Sequence, residues 1–116
     1  MSYSTAFLDE VIEKQKRERE KQRLLTIEKV FSVIDHLSGE MALDEIYLFG
    51  SVTKPFRFSE ESDIDLACTG LKDRHFFKLM SAISRATGHD VDIVQLENHR
   101  LADKIKREGI KWKKKN

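Results

Sequence analysis

The chain of 116 residues has a single cysteine and a single proline, and none of its apolar runs approaches the ~18 residues that a membrane-spanning helix needs. Cys68 has no second cysteine with which to form a disulfide within the chain, which agrees with a reducing compartment. The N-terminus lacks a basic segment followed by an apolar one, so no secretory signal is evident. These absences favour a cytoplasmic protein of one domain with no membrane partner.

Net charge is also nearly absent, at +1, so nothing attracts the whole chain to nucleic acid or to membranes. The charges are unevenly distributed, because residues 40–71 are mainly acidic and residues 104–116 are mainly basic. An acidic middle suits a metal cation, and a basic end can meet an acidic partner or phosphates. Trp112 lies in the basic end, where it can cover a sheet edge or dock on a partner.

One long helix is predicted over residues 5–37, ending before Gly39. Apolar residues recur at helical spacing in residues 7–12 and again in residues 24–37, but residues 13–23 contain none. Two interpretations of the first half stay open. It is either a solvated helix held by charge pairs, or an extension whose apolar tip docks on a partner protein or on a second copy of the chain.

Short apolar runs with turn residues between them predict three strands, over residues 45–49, 63–68 and 90–95. A helix is expected from Asp73, as its cap, to Thr87, and a last helix capped by Asn98 should end at Gly109. This order predicts an α+β fold: a small mixed β-sheet backed by helices on one face, with a long charged N-terminal helix. We divide the chain into a charged helical extension (1–23), a domain (24–110) and a basic tail (111–116).

Two aspartates, Asp63 and Asp65, stand in the second predicted strand, and Asp92 stands in the third. Because side chains alternate along a strand, Asp63 and Asp65 share one face, and Asp92 can approach them from a neighbouring strand ~5 Å away. Three carboxylates on one face make a site for Mg²⁺. Without a cation they repel one another, so at least one should have a raised pKa. The alternative is that Asp63 marks a strand start and Asp65 lies at a solvated edge.

A glycine and a serine, Gly50 and Ser51, follow the first predicted strand. Glycine lets backbone approach a phosphate closely, and Ser51 can cap a short helix whose N–H groups face an anion. A phosphate site about a dozen residues before a metal site predicts a nucleoside triphosphate with its Mg²⁺. Two such ions can hold the attacking and leaving oxygens of a phosphoryl transfer.

The segments LFGS (48–51), SDIDL (62–66) and VDIV (91–94) together resemble the DNA polymerase β-type nucleotidyltransferases. Within them the chain is most similar to the minimal MNT proteins, the antitoxin halves of HEPN–MNT pairs, over residues 45–110. The resemblance implies that Asp63 and Asp65 bind metal and that Asp92 completes the site. It also implies that Gly50 and Ser51 hold the triphosphate, and that the domain over 24–110 is a minimal nucleotidyltransferase domain.

The segment GSVTKPF, residues 50–56, departs from the family pattern. Lys54 stands where the family has an arginine, Pro55 replaces a second glycine, and the connection is one residue longer. Lys54 can still meet a phosphate as a point charge, without the planar fork of arginine.

The resemblance implies a metal-dependent nucleotidyltransferase that uses two Mg²⁺ ions and transfers AMP from ATP, or a nucleotidyl group from another NTP, to an acceptor hydroxyl. The expected acceptor is a HEPN-type toxin, with Asp92 taking the hydroxyl proton, and the N-terminal helix can mediate homo- or hetero-oligomers. Three alternatives stay open: a non-catalytic inhibitory subunit, a transferase acting on a small molecule such as an aminoglycoside, and a nucleic-acid module using the basic tail. A template nucleic acid is not expected, because 116 residues leave no room for domains that grip one.

Overall fold

The protein is described here by a computed structural model of residues 5–114; residues 1–4 and 115–116, parts of the predicted extension and tail, lie outside the described residues. In chain order the elements are α1 (Thr5–Leu37), β1 (Glu45–Phe49), a 3₁₀ turn (Gly50–Thr53), β2 (Ile64–Thr69), α2 (Asp73–Thr87), β3 (Val91–Gln95), α3 (Ala102–Glu108) and β4 (Ile110–Trp112). The predicted α+β fold with a small mixed sheet and a long N-terminal helix is confirmed. Within the described range, no helix is both long and apolar enough to span a membrane.

The four strands form one sheet in the order β3-β2-β1-β4. β1 pairs antiparallel with both β2 and β4, whereas β2 and β3 are parallel. Parallel neighbours cannot be joined by a tight turn, and α2 supplies the crossover between them. The sheet is therefore mixed, and β2 lies inside it with a partner on each side.

The main core lies between α1, α2 and one face of the sheet. Alternation along β2 turns Ile64, Leu66 and Cys68 to this face, which is the side that the sequence predicts for them. The helices contribute the fully buried side chains of Val30, Ile34, Leu79 and Ile83. Burial of each large aliphatic side chain is worth about 1.5–3 kcal/mol, so this layer holds α1 and α2 on the sheet.

The opposite face of the sheet is covered by α3, whereas we expected helices on one face only. Ile105 of α3 packs there against Tyr47 and Ala67, whose side chains alternate away from the main core. α3 therefore lies on the same face of the sheet as Asp65, which alternates to the side of Ala67 along β2.

β4 is a strand that sequence patterns did not predict. Ile110 and Trp112 pair with Leu48 and Ile46 of β1, and the Trp112 indole N–H donates to Asp35 Oδ1 over 2.8 Å. Trp112 is 3% exposed. It therefore closes the sheet edge against α1, which is one of the two roles foreseen for it, and it joins part of the predicted tail to the sheet.

Two predicted helix caps are wrong. Lys72, not Asp73, is the N-cap of α2, and it makes no side-chain capping bond; Asp73 is the first helical residue, where its charge still favours the positive end of the helix. Leu101 is the N-cap of α3. Asn98 lies in the preceding turn with φ of 64°, a conformation that asparagine adopts more readily than most residues.

The first half of α1 is exposed, and its second half packs on the rest of the domain. Every residue from Thr5 to Arg19 is exposed, while Arg23, Thr26 and Val30 are buried. The helix extends the molecule to 61 Å along its longest axis, against 28 and 25 Å along the others.

Candidate active site

Asp65 and Asp92 stand directly opposite each other, in register on the parallel strands β2 and β3. Their side chains share the face that α3 covers, as alternation predicts. Burial raises the pKa of Asp65 above its usual value, and the charges of Asp92 and Asp63 raise it further. This confirms the expectation that at least one of the three carboxyls has a raised pKa, and it shows that all three are within electrostatic reach.

Asp63 lies just before β2, which begins at Ile64, and its side chain is exposed. Two contacts fix the chain on either side of it. The Ile64 N–H donates to Asp90 O over 2.9 Å, and His89 Nδ1 donates to Ser62 O over 2.8 Å. His89 thus fixes the backbone of Ser62, the residue before Asp63. The position of His89 in the sequence does not predict this contact.

The carboxylates alone do not form a closed metal cage. Among residues 5–114 no group of three or more His, Cys, Asp or Glu side chains is arranged to hold a metal ion by itself. Asp65 and Asp92, side by side with Asp63 nearby, do fit Mg²⁺, which prefers oxygen ligands and takes one or two carboxylates together with water and substrate phosphates. The donor set is therefore suited to a cation that arrives with a phosphorylated ligand.

Gly50 places backbone directly against the Asp65 carboxylate. Its φ is 79°, a left-handed conformation, and a Cβ there would collide with Asp65 Oδ2. The prediction that Ser51 caps this helix is wrong, since the N-cap is Phe49 and no side chain caps the turn; instead Thr53 Oγ1 donates to Gly50 O over 2.7 Å. Ser51 lies within the 3₁₀ turn, directly after Gly50 in the chain.

A groove of about 430 Å³ runs between the 3₁₀ turn and α3. Phe49 and Gly50 form one wall, Ile105 lies in the other, and Lys54 and Lys104 bring positive charge to it. Lys54 is exposed, and its contact with a phosphate stays a prediction. Lys104 was not among the predicted site residues, although helical spacing from Leu101 would have placed it on the same side of α3. Glu108 also lines the groove, and the groove adjoins the carboxylates through Gly50, whose backbone lies against Asp65.

Two residues of the charged run in α1 also reach this region. Arg23 is only 8% exposed; its guanidinium donates to both Glu20 carboxylate oxygens, over 2.9 and 3.0 Å, and to Val52 O over 3.0 Å. Glu20 Oε1 in turn accepts the Phe56 N–H over 2.8 Å. A solvated helix was one of two interpretations of this run, and two of its residues in fact contact the segment that carries Lys54. No local signal shows this, because the acceptor at Val52 lies 29 residues away.

Solved structures of toxin–antitoxin proteins resemble this fold. One is a toxin–antitoxin structure with AMP-PNP (25% identity, TM-score 0.58, 77% of this chain and 73% of that one), and another is MntA–HepT (25%, 0.53, 75% and 71%). A third, at 24% identity and so informative for the fold alone, is an MNT antitoxin with a tri-AMPylated HEPN toxin from Shewanella oneidensis (0.55, 78% and 73%). Among curated proteins no sequence match is found.

The sequence profile of a known family covers most of the chain. The profile described as "Polymerase beta, Nucleotidyltransferase" matches residues 32–116, which include every strand and the carboxylate cluster. The carboxylates, the adjoining glycine turn and the fold agree with this match, and the chain belongs to the polymerase beta nucleotidyltransferase family.

Proposed function

We propose that this nucleotidyltransferase moves AMP from ATP to a hydroxyl group on a HEPN-type partner protein and thereby acts as an antitoxin. The observation that carries the proposal is the placement of Asp65 opposite Asp92 and beneath Gly50. The likeness to a toxin–antitoxin structure with AMP-PNP and to MntA–HepT supports the nucleotide and the kind of partner. A nucleotide substrate and a lone buried cysteine both fit the cytoplasm.

In the proposed reaction the acceptor oxygen attacks the α-phosphorus of ATP, the bond to the β-phosphate oxygen breaks, and pyrophosphate leaves. Asp92, an exposed carboxylate beside Asp65, takes the hydroxyl proton. Backbone N–H groups at Gly50 and Ser51, with the ammonium group of Lys54, hold the phosphates. Asp63, Asp65 and Asp92 would bind Mg²⁺, expected as two ions, which would offset the negative charge that develops during transfer.

The direct test incubates the protein and its native partner with Mg²⁺ and labelled ATP. We expect pyrophosphate release together with a partner mass increased by whole AMP groups, and Asp65→Asn should abolish both. If the intact pair releases no pyrophosphate with any of the four common NTPs, the enzymatic proposal is wrong. A labelled small molecule or RNA end in place of the partner protein would identify a different acceptor.

Melting curves test the metal and the nucleotide together. A ligand that binds only the folded state stabilises it by about 2.7 kcal/mol at a hundredfold excess over its Kd. Because the triphosphate completes the cation's shell, Mg²⁺ with ATP should raise the melting temperature by more than the sum of the separate shifts. Asp63→Asn should remove that excess. Equal excess shifts in the wild type and the variant would argue against the site.

An inhibitory subunit without catalysis is the second candidate. It is favoured by the altered segment GSVTKPF, in which Pro55 precedes Phe56 at φ of 65°. The double variant Asp63→Asn, Asp65→Asn separates the two functions. Neutralisation of the partner in cells by this variant would show that binding suffices, whereas a folded variant that binds and fails to neutralise would show that transfer is required.

A further inference from the structure

We propose that Glu20 and Arg23 of α1 are positioning residues that hold the segment Gly50–Phe56 in the shape that accepts a triphosphate. The proposal rests on the function proposed above and deepens it. Both residues precede residue 32, where the match to the family begins, so the support comes from outside the matched region.

The two residues attach to the segment at two points. Arg23 donates to Val52 O, inside the 3₁₀ turn whose first residue lies against the Asp65 carboxylate. Glu20 accepts the N–H of Phe56, four residues further along. Lys54 lies between these points, and so does Pro55, which has no N–H with which to stabilise the segment itself. Both attachments use backbone atoms of the segment, so they fix its path rather than the packing of its side chains.

The geometry of the Glu20–Arg23 pair favours a positioning role. An arginine fork that donates to both carboxylate oxygens has a fixed orientation, which directs the remaining N–H at Val52 O. Phe56 keeps a positive φ that is uncommon for an aromatic residue, and the Glu20 contact is the hydrogen bond that holds its N–H. If the pair is broken, Val52 O loses a buried donor and Lys54 is no longer held between two fixed points.

Glu20→Ala and Arg23→Lys test the proposal, with Glu13→Gln as a matched control because Glu13 and Lys16 form another i, i+3 pair on α1, at 3.8 Å and exposed. For Glu20→Ala and Arg23→Lys we expect about a tenfold rise in the Kd and KM for ATP with kcat changed by less than about threefold, the signature of lost ground-state binding. Glu20→Gln keeps an acceptor for Phe56 and should recover part of the loss. The control should match the wild type.

Amide hydrogen exchange of residues 50–57, measured without nucleotide, keeps the two proposals distinguishable. Faster exchange in Glu20→Ala and Arg23→Lys than in the control supports the positioning role. Variants that melt at a lower temperature but keep wild-type exchange and wild-type Kd overturn it. A wild type that binds no nucleotide contradicts the proposed function, and the exchange rates then decide whether α1 holds the segment.

Discussion

At the scale of single residues, Asp65 is the carboxylate of the site whose charge is disfavoured by its surroundings. It is half-buried in a strand with neighbours on both sides, and burial together with the charges of Asp92 and Asp63 raises its pKa. The ionised form is therefore disfavoured in the protein without a bound cation. In the proposed reaction, a cation bound with the nucleotide phosphates would relieve this repulsion.

Asp65→Asn should consequently raise the melting temperature in metal-free buffer at neutral pH, because it removes the charge that is repelled. Scanning calorimetry with chelator present measures the effect. Asp9→Asn is the control, since Asp9 lies on the exposed half of α1, and surface changes of this kind stay within about ±0.5 kcal/mol. A lower melting temperature for Asp65→Asn would mean that its charge is already compensated within the chain.

Gly50 and Gly88 form a matched pair that separates backbone strain from contact with the site. Both have left-handed φ values, 79° and 77°, but a Cβ at Gly88 meets nothing within 4 Å, whereas one at Gly50 collides with Asp65. Each glycine-to-alanine change should cost about 1–2 kcal/mol of unfolding free energy from the conformation alone. Only Gly50→Ala should also abolish nucleotide binding in titration calorimetry; equal binding by both variants would contradict the contact.

At the scale of elements, local patterns were sufficient for α1, β1, β2, α2 and β3, whose observed ends lie within one residue of the predicted ones. Apolar periodicity and flanking glycines carry that information along a few neighbouring residues. The same alternation placed Asp65 and Asp92 on one face, so the centre of the site was predictable once the strands were neighbours.

The features that sequence patterns did not predict depend on contacts between residues far apart in the chain. β4 is three residues in a basic stretch, and it is a strand only because β1 offers a free edge and Asp35, 77 residues away, accepts from Trp112. The contacts of Arg23 and Glu20 with the segment 50–56 were missed for the same reason, since a charge run looks solvated until a distant backbone carbonyl is placed beside it.

The hydrogen bond between Trp112 and Asp35 should therefore contribute measurably to the packing of β4 and α1. Trp112→Phe keeps most of the buried ring and removes the donor, so we expect a loss of about 1.5–3 kcal/mol, the range for bonds to charged groups. Urea unfolding followed by circular dichroism is the measurement, because the variant has no tryptophan fluorescence. Asp35→Asn and the double variant complete a cycle, and a coupling near zero would show that the bond is replaceable.

At the scale of the whole molecule, exposed carboxyls join elements that are distant in the chain. Lys78 of α2 donates to Glu40, in the turn after α1, over 2.8 Å, and this bond lowers the pKa of Glu40. Glu45 of β1 accepts from the Tyr47 hydroxyl, which lowers its pKa, and Lys111 of β4 lies 3.4 Å from it. Both depressed pKa values mean that the folded state binds protons less readily than the unfolded one.

The stability that these two glutamates contribute should therefore be fully present above their unfolded-state pKa of about 4.5. It should be lost as the pH drops through their lower pKa values in the folded state. Urea midpoints measured from neutral pH to about pH 3 test this. The double variant Glu40→Gln, Glu45→Gln should lower the neutral midpoint and flatten the acid slope, although both pairs are exposed and each contributes little. Parallel acid slopes in the wild type and the variant would assign the loss to other groups.

The single cysteine lies in β2 with 1% of its surface exposed, and burial raises its pKa to about 12. A thiol reagent reaches such a sulfur only when the sheet opens, because β2 has a strand on each side and helices over its face. Cys68 is therefore an intrinsic probe of the opening of the sheet. The rate of thiol labelling under native conditions reports how often the sheet comes apart, with no probe to be introduced, and ligands that bind the closed sheet should slow it.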